Sequence, residues 1–528
     1  MSRLFVGFIV CILAVLQQPV FADSLKSAAP RIRWSVVVHA GIDEEELAGH
    51  AEAAINSMFG LVLPDNVELL IETDMFSKDG LKRFIRRGSA PAVMIDLPEI
   101  DSADTGTFEN FLDWAAANAT GEHRLFVAAT HSWGWKGIIQ DYNVPGKKGE
   151  DTMMPLRDFS RVLRSSALKP DVLFFDSCVL GNAEPVEEMK GTAPYLVVSQ
   201  RETPYGGFPL SALLPHLSDT KATPLGIAKI IPQLYAGAYS RGGMMSGPEG
   251  EYDVVTVAAI DMSRWSAFTS DFRLLAGLLA KRGFRERLQT NLSWTGLFND
   301  IDSNVDVVEL LTRLPHFMEG DIPVSILTAK MNNDIGYPAD AAAQSAATMK
   351  IDPRNGGRFK LRIQGDNHLE EKNVVSAMTK RWEEANKDLG LPGGLKFLLE
   401  YDKRGSRIFV VKGKVNKTTL VRPWLPGVRA VQLLTRKSYL SRWKTSVTET
   451  REKDYVSVDS FPAGSFMISE AHTQGAPFIH GIGISLKPMM DDQEDRGIDP
   501  VTGLAGPAFY KSLMWNQQTH WGDLVLFR

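Results

Sequence analysis

Two cysteines occur in the 528 residues, Cys11 and Cys178. Cys11 sits in an N-terminal stretch with the pattern of an export signal. Arg3 supplies a positive start, Leu4 to Leu16 an apolar run, and Val20-Phe21-Ala22 a small-residue cleavage site. The run is shorter than the ~18 apolar residues of a spanning helix, so residues 1–22 are expected to be cleaved off rather than kept as an anchor. Cys178 then has no disulfide partner within the chain. Such a thiol is a buried inert side chain, an intermolecular link or a nucleophile. The thiolate is the attacking form, and a nearby imidazole raises its population. Of the ten histidines, His131 is the best partner. It follows an apolar run and precedes a tight loop, Ser132-Trp133-Gly134-Trp135. His123, at the other end of that run, reads as a surface or packing residue. Asp176, two places before Cys178, is placed to cap a following short helix.

Those residues need elements to hold them. Trp34 to His39, Asn66 to Thr73, Leu125 to Ala129, Val172 to Phe175 and Tyr195 to Ser199 read as strands in near-continuous apolar runs. Helical spacing lies between them. Leu47, Ala51, Ala54, Ile55 and Met58 form one stripe, with Asp43 placed to cap it. Phe108, Phe111, Leu112 and Ala115 form a second, and Leu156, Phe159, Val162 and Leu163 a third. Strand-like Val254 to Asp261 precedes a helix carrying Trp265, Phe268, Phe272, Leu275 and Leu279. Apolar strands spaced by amphipathic helices imply an α/β fold, a mostly parallel sheet with helices on both faces. Ligands of such sheets bind at the carboxyl ends of strands. His131 and Cys178 both lie just past strand ends, so neighbouring strands would bring them together.

From about residue 391 the character changes. Leu395 to Glu400, Arg407 to Val411, Val428 to Leu434 and Ser465 to Ser469 are short strand-like runs between turn signals, a β-rich unit. Its many Lys and Arg read as a solvated face. The net charge of −5 argues against a general nucleic-acid binder. No later segment is apolar enough to span a membrane. No Cys pair, HExxH or EF-hand pattern marks a metal site, and Gly146-Lys147-Lys148-Gly149 lacks the spacing of a phosphate-binding loop. A redox role would need a resolving cysteine, which signal removal takes away.

The two segments Ala128-Ala129-Thr130-His131-Ser132-Trp133-Gly134-Trp135 and Phe174-Phe175-Asp176-Ser177-Cys178-Val179-Leu180-Gly181 together resemble the clostripain-like cysteine peptidases, of the clan that also holds caspases, legumains and gingipains. Trp34 to Val38, Ser199 to Pro209, Thr256 to Asp261, Gly483 to Pro488 and Tyr510 to Phe527 resemble further parts of the family. The likeness spans residues 30–330 and 476–528. It implies a caspase-like core over 23–349, a β-rich insert over 350–475 and a return to the core over 476–528. Ser132 stands where the family has glycine, and Ser177 where it has alanine.

By this resemblance His131 and Cys178 form a catalytic dyad that hydrolyses peptide bonds. Backbone N–H groups of Ser132, Gly134 and Cys178 would hold the oxyanion. Asp176 would lie at the base of the specificity pocket and select Arg or Lys, with Arg201 and Thr203 bordering the substrate. Lys147 and Lys148 would be sites of self-cleavage. Some members depend on calcium, but no ligand set carries over, and no other cofactor is expected. The expected partner is a protein or peptide, in the periplasm or outside a bacterial cell, with no stable membrane anchor. The alternative implied is a catalytically silent relative that binds peptides or cell-surface polymers.

Overall fold

The apolar runs pair side by side. Among the described residues one sheet holds ten strands: β1 (Trp34–Ile42), β2 (Val67–Met75), β3 (Lys82–Arg87), β4 (Val93–Asp96), β5 (His123–Thr130), β6 (Val172–Asp176), β7 (Tyr195–Val198), β8 (Thr256–Asp261), β9 (Tyr455–Val458) and β10 (Met467–Thr473). Their order is β9-β10-β8-β7-β6-β5-β1-β2-β3-β4. The central strands β7, β6, β5, β1 and β2 run parallel. Antiparallel strands close both edges. The computed structural model describes residues 31–42, 44–76, 80–145, 151–240, 243–245, 255–290, 304–336, 349–355, 357–365, 392–401, 407–421, 428–436, 441–450, 455–459, 461–473, 481–485 and 507–525, with helical positions 375, 379, 382, 383 and 386. The export signal at 1–22, Asp43, Lys147 and Lys148 lie outside them.

Helices cover both faces, and the alternation of side chains along a strand explains the continuous apolar runs. Val37, Phe126 and Leu173 face α2 (Thr105–Asn118), α3 (Leu156–Ser165) and α7 (Met262–Lys281), packing with Phe108, Phe159 and Phe272. Their neighbours Val36, Leu125 and Phe174 face α1 (Ala48–Phe59), α5 (Leu210–Ser218) and α6 (Pro224–Tyr239), packing with Ile55, Leu213 and Tyr235. The architecture is thus the expected α/β one, a mostly parallel sheet sandwiched by helices. No helix among the described residues is long and apolar enough to cross a membrane.

Strands β3 and β4 escape the apolar pattern. β3 reads Lys-Arg-Phe-Ile-Arg-Arg, and two of its cations meet buried carboxylates on β2: Arg83 Nε lies 2.7 Å from Glu72 and Arg87 Nε 2.9 Å from Glu68. Paired charge thus replaces apolar alternation on that side. Five strands, Arg358–Gly365, Lys396–Tyr401, Arg407–Lys414, Val428–Arg436 and Lys444–Thr450, make a separate antiparallel sheet. Its inner face packs Phe359, Leu361, Val411 and Leu433 with Trp382. Ser465 to Ser469 does not belong to that sheet. It overlaps β10, which pairs with β8 in the large sheet, so the chain re-enters there ahead of residue 476. Short-range periodicity carries no information on which sheet a strand joins.

The last described residues brace the segment that follows Cys178. There α4 (Ala183–Glu188) carries three buried glutamates, two of which meet these residues. The Tyr510 hydroxyl donates to Glu184 Oε1 at 2.6 Å, and the Met514 N–H donates to Glu188 Oε1 at 2.5 Å. A buried bond to a carboxylate contributes about 1.5–3 kcal/mol. Tyr510→Phe is therefore expected to lower the unfolding free energy by about that amount in denaturant melts. Lys511→Ala, which breaks only an exposed pair with Asp523 at 3.4 Å, should change it by less than about 1 kcal/mol.

Candidate active site

The site begins with register. β5 and β6 pair from Leu125 with Val172 to Ala129 with Asp176. Two residues further along each strand come His131 and Cys178, so both leave the sheet at the same height. Ser177 fixes that exit. Its hydroxyl donates to the Ala128 carbonyl at 2.9 Å and accepts the Thr130 N–H at 3.4 Å. The serine that departs from the family's alanine therefore stitches the two strands together beneath the reactive pair.

Past the strand ends the backbone turns sharply. Val179 has φ 49° and Ile139 φ 57°. Both are β-branched, for which this region costs of order 1–3 kcal/mol. Hydrogen bonds hold each one. Val179 N–H donates to Arg201 O at 2.9 Å, and Asn182 Nδ2 donates to Val179 O at 2.9 Å. Ile139 N–H donates to His131 O at 3.0 Å. Gly134, at φ 62°, passes so close that a Cβ there would sit 3.3 Å from the Val179 carbonyl. The turn after the histidine thus packs on the turn after the cysteine.

Cys178 and His131 line one cavity of about 440 Å³, with Asp176 and Thr203. The sulfur's polar neighbours are the Thr203 N–H at 3.4 Å and its hydroxyl at 3.7 Å. Burial pushes the Cys178 thiol up, and the Thr203 bonds oppose it. Burial pushes His131 down, and Glu44, with Oε2 at 3.2 Å from Nε2, opposes that. Burial thus favours the neutral form of both groups. His131 also meets the Tyr142 ring edge-on at 5.9 Å.

Asp176 caps no helix. Its Oδ2 accepts the Phe208 N–H at 2.6 Å and its Oδ1 the Tyr235 hydroxyl at 2.5 Å. Burial raises it to about 6 against those two bonds. Gly207, at φ 62°, lets the loop come this near, since a Cβ there would lie 2.9 Å from Oδ2. A carboxylate has about four acceptor sites, so Asp176 keeps acceptor capacity. Arg201 does not fill it: among the described residues no ion pair joins the two, and Arg201 does not line the cavity. Its backbone serves instead, its carbonyl bonding Val179.

Of the three expected oxyanion donors, the Gly134 N–H is engaged by Ser132 Oγ at 3.2 Å. No acceptor among the described residues takes the Ser132 or Cys178 N–H. The whole predicted stripe of α1 proves to be cavity wall: Leu47, Ala51, Ala54, Ile55 and Met58 line it, as does Met245 from beyond α6. Glu44 and Tyr235 were not singled out in the sequence. Glu44 lies in an acidic run after β1, and nothing in the run says which carboxylate turns toward the neighbouring strand end.

Among the described residues one trio could offer oxygens to a cation. Asp74, Glu99 and Asp141 bring ligand atoms within 4.8 Å of one another. None of them lines the cavity. Asp141 accepts from Ser102 at 2.7 Å and Asn143 at 2.9 Å. Burial and Asp141 raise Glu99 to about 7.

Residues 42–317 match the clostripain family of peptidases. No curated protein matches the chain. Among solved structures it is similar to a secreted cysteine protease from Bacteroides thetaiotaomicron in complex with an irreversible peptide inhibitor, at 22% identity, covering 57% of this chain and 82% of that one with a TM-score of 0.43. It is also similar to an inactive zymogen protease from Parabacteroides distasonis, at 20% identity, covering 46% and 65% with a TM-score of 0.35.

The Ser177 stitch is open to test. Ser177→Ala removes two buried bonds and should cost about 1–2 kcal/mol of stability. It should also speed amide exchange at Thr130. An unchanged stability with unchanged exchange at Thr130 would show that the hydroxyl does not join β5 to β6.

Proposed function

The chain belongs to the clostripain family and is a cysteine-type peptidase, and on that premise we propose that it is an exported endopeptidase that cleaves after Arg or Lys with a Cys178–His131 dyad. One observation carries this reading: Cys178, His131 and Asp176 line a single cavity from the ends of two register-matched parallel strands.

The chemistry follows from the geometry and the protonation states. Because burial favours the neutral form of both groups, attack and proton transfer go together in this reading. Sγ of Cys178 bonds to the scissile carbonyl carbon while its proton passes to the His131 imidazole. The carbonyl oxygen becomes an oxyanion, held by the Ser132 and Cys178 N–H groups. The C–N bond then breaks as His131 gives its proton to the leaving amine. Water, deprotonated by His131, hydrolyses the thioester, and the proton returns to sulfur.

Asp176 supports the specificity. Its free acceptor sites suit a guanidinium or ammonium arriving in the cavity. Tyr235 and Phe208 hold the carboxylate still, so little order remains to be imposed on binding. Export rests on the N-terminal pattern, and self-cleavage at Lys147 or Lys148 on the family resemblance. Peptide substrates and a periplasmic or extracellular location follow from the same reading.

Cleavage of a peptide library should show Arg or Lys before the cut bond, with Cys178→Ala inactive. No preference for basic residues would overturn the specificity. Asp176→Asn should reduce kcat/KM for Arg peptides by about 10²–10³-fold, as expected when one partner of an enclosed charge pair is lost. The sign of the pH effect is fixed by the raised Asp176. As pH falls through about 6 its carboxylate is neutralised, so kcat/KM for Arg peptides should fall relative to that for neutral peptides. In Asp176→Asn that ratio should be flat. Intact mass of wild type against Cys178→Ala checks processing: a wild type cut after Lys147 or Lys148 beside an uncut variant supports it, and equal uncut masses rule it out.

A further inference from the structure

We infer that Glu44 is a positioning residue for His131, holding the ring with its Nε2–H toward the carboxylate and its Nδ1 free to take the Cys178 proton. This rests on the Cys178–His131 reading above.

The geometry is specific to one nitrogen. His131 Nε2 is closed off from solvent and makes no aligned hydrogen bond. Glu44 Oε2 lies 3.2 Å from it. The contact is off-line for an aligned bond, as is common before substrate closes a site. Its carboxylate stands where a helix would use it as a cap: Glu44 is the N-cap residue of the Glu45–Leu47 turn, yet its side chain makes no cap bond. The acid is thus turned away from its local use and toward the neighbouring strand end. β1 lies directly beside β5, with Gly41 opposite Thr130, so an acid just past β1 falls within reach of a histidine just past β5.

The ring has little freedom left. Tyr142 packs edge-on against it, and the Ile139 N–H fixes its carbonyl. With Nε2 committed to the acid, Nδ1 is the nitrogen left to meet Cys178. A carboxylate at that distance also favours the imidazolium that forms during attack, as the direction of its influence on His131 shows. The titratable groups that touch the ring are Glu44 and Tyr142, while Cys178, Asp176, His50 and Tyr205 line the same cavity. Tyr142 is raised to about 12, by burial first and then by Glu44 and Asp151. It stays neutral through the working range. Asp176 titrates near 6 and is controlled by repeating each measurement in Asp176→Asn.

Two measurements on the full chain test this. Glu44→Gln should lower kcat on the best library peptide by about 10–100-fold with little change in KM, a part of the 10²–10⁴-fold that a positioned acid–base group supplies. The acid limb of its kcat/KM profile should move to lower pH by about one unit, and Glu44→Asp should restore part of both. Loss of rate with an unmoved limb, or no loss, overturns the positioning role. Should Glu44→Gln fail to fold, wild-type protein decides. ¹⁵N-histidine spectra, assigned with His131→Gln, should show neutral His131 as the Nε2–H tautomer, and the Nδ1–H tautomer overturns the inference. The dyad reading fails separately, if His131→Ala retains full activity.

Discussion

The parallel register of β5 against β6 is the constraint on which the rest depends. With Ala129 opposite Asp176, two strands in parallel deliver His131 and Cys178 to one level without any long-range loop having to find its mark. A slip of one residue would turn every side chain of a strand to the other face. Each apolar side chain would then meet the helix layer packed against its neighbour, so the cores on both faces hold the register. Ser177 adds a local bond across the same two strands. The strained turns at Ile139 and Val179 are affordable because this frame over-determines them.

Electrostatics then work against easy ionisation. Burial drives the thiol up and the imidazole down, and the groups that oppose it are few: Thr203 at the sulfur and Glu44 at the ring. Both shifts favour the neutral form in the free protein. Asp176 follows similar logic one step deeper. Its two bonds to Phe208 and Tyr235 tie the end of β6 to α6 and to the loop before α5. A single carboxylate thereby shapes the cavity wall and supplies its charge.

Much of this was legible in the sequence. Apolar runs gave the central strands, because a doubly covered sheet needs both faces apolar. Cys178 and His131 stand just past such runs, and the structure sets both on one cavity. Other parts were hidden for physical reasons. β3 hides its role behind paired cations. β10 reads like the strands of the smaller sheet, and only its partner β8 tells them apart. Leu47, Ala51, Ala54, Ile55 and Met58 keep helical spacing, yet line the cavity as well, with Ile55 and Met58 also packed in the core. Glu44 is one acid among several in a run, and its direction is a property of the turn that follows β1. Ser177 looked like a departure from a pattern until its hydroxyl was seen bridging two strands.

A nucleophilic Cys178 served by His131 is tested most directly by covalent labelling. The purified protein is treated with an Arg-directed peptide carrying a thiol-reactive end group, and the modified residue is located by mass. The expected result is a single adduct on Cys178 that His131→Ala abolishes or slows by about 10²-fold or more. A folded sample that takes no label, or one labelled equally fast without His131, would contradict it.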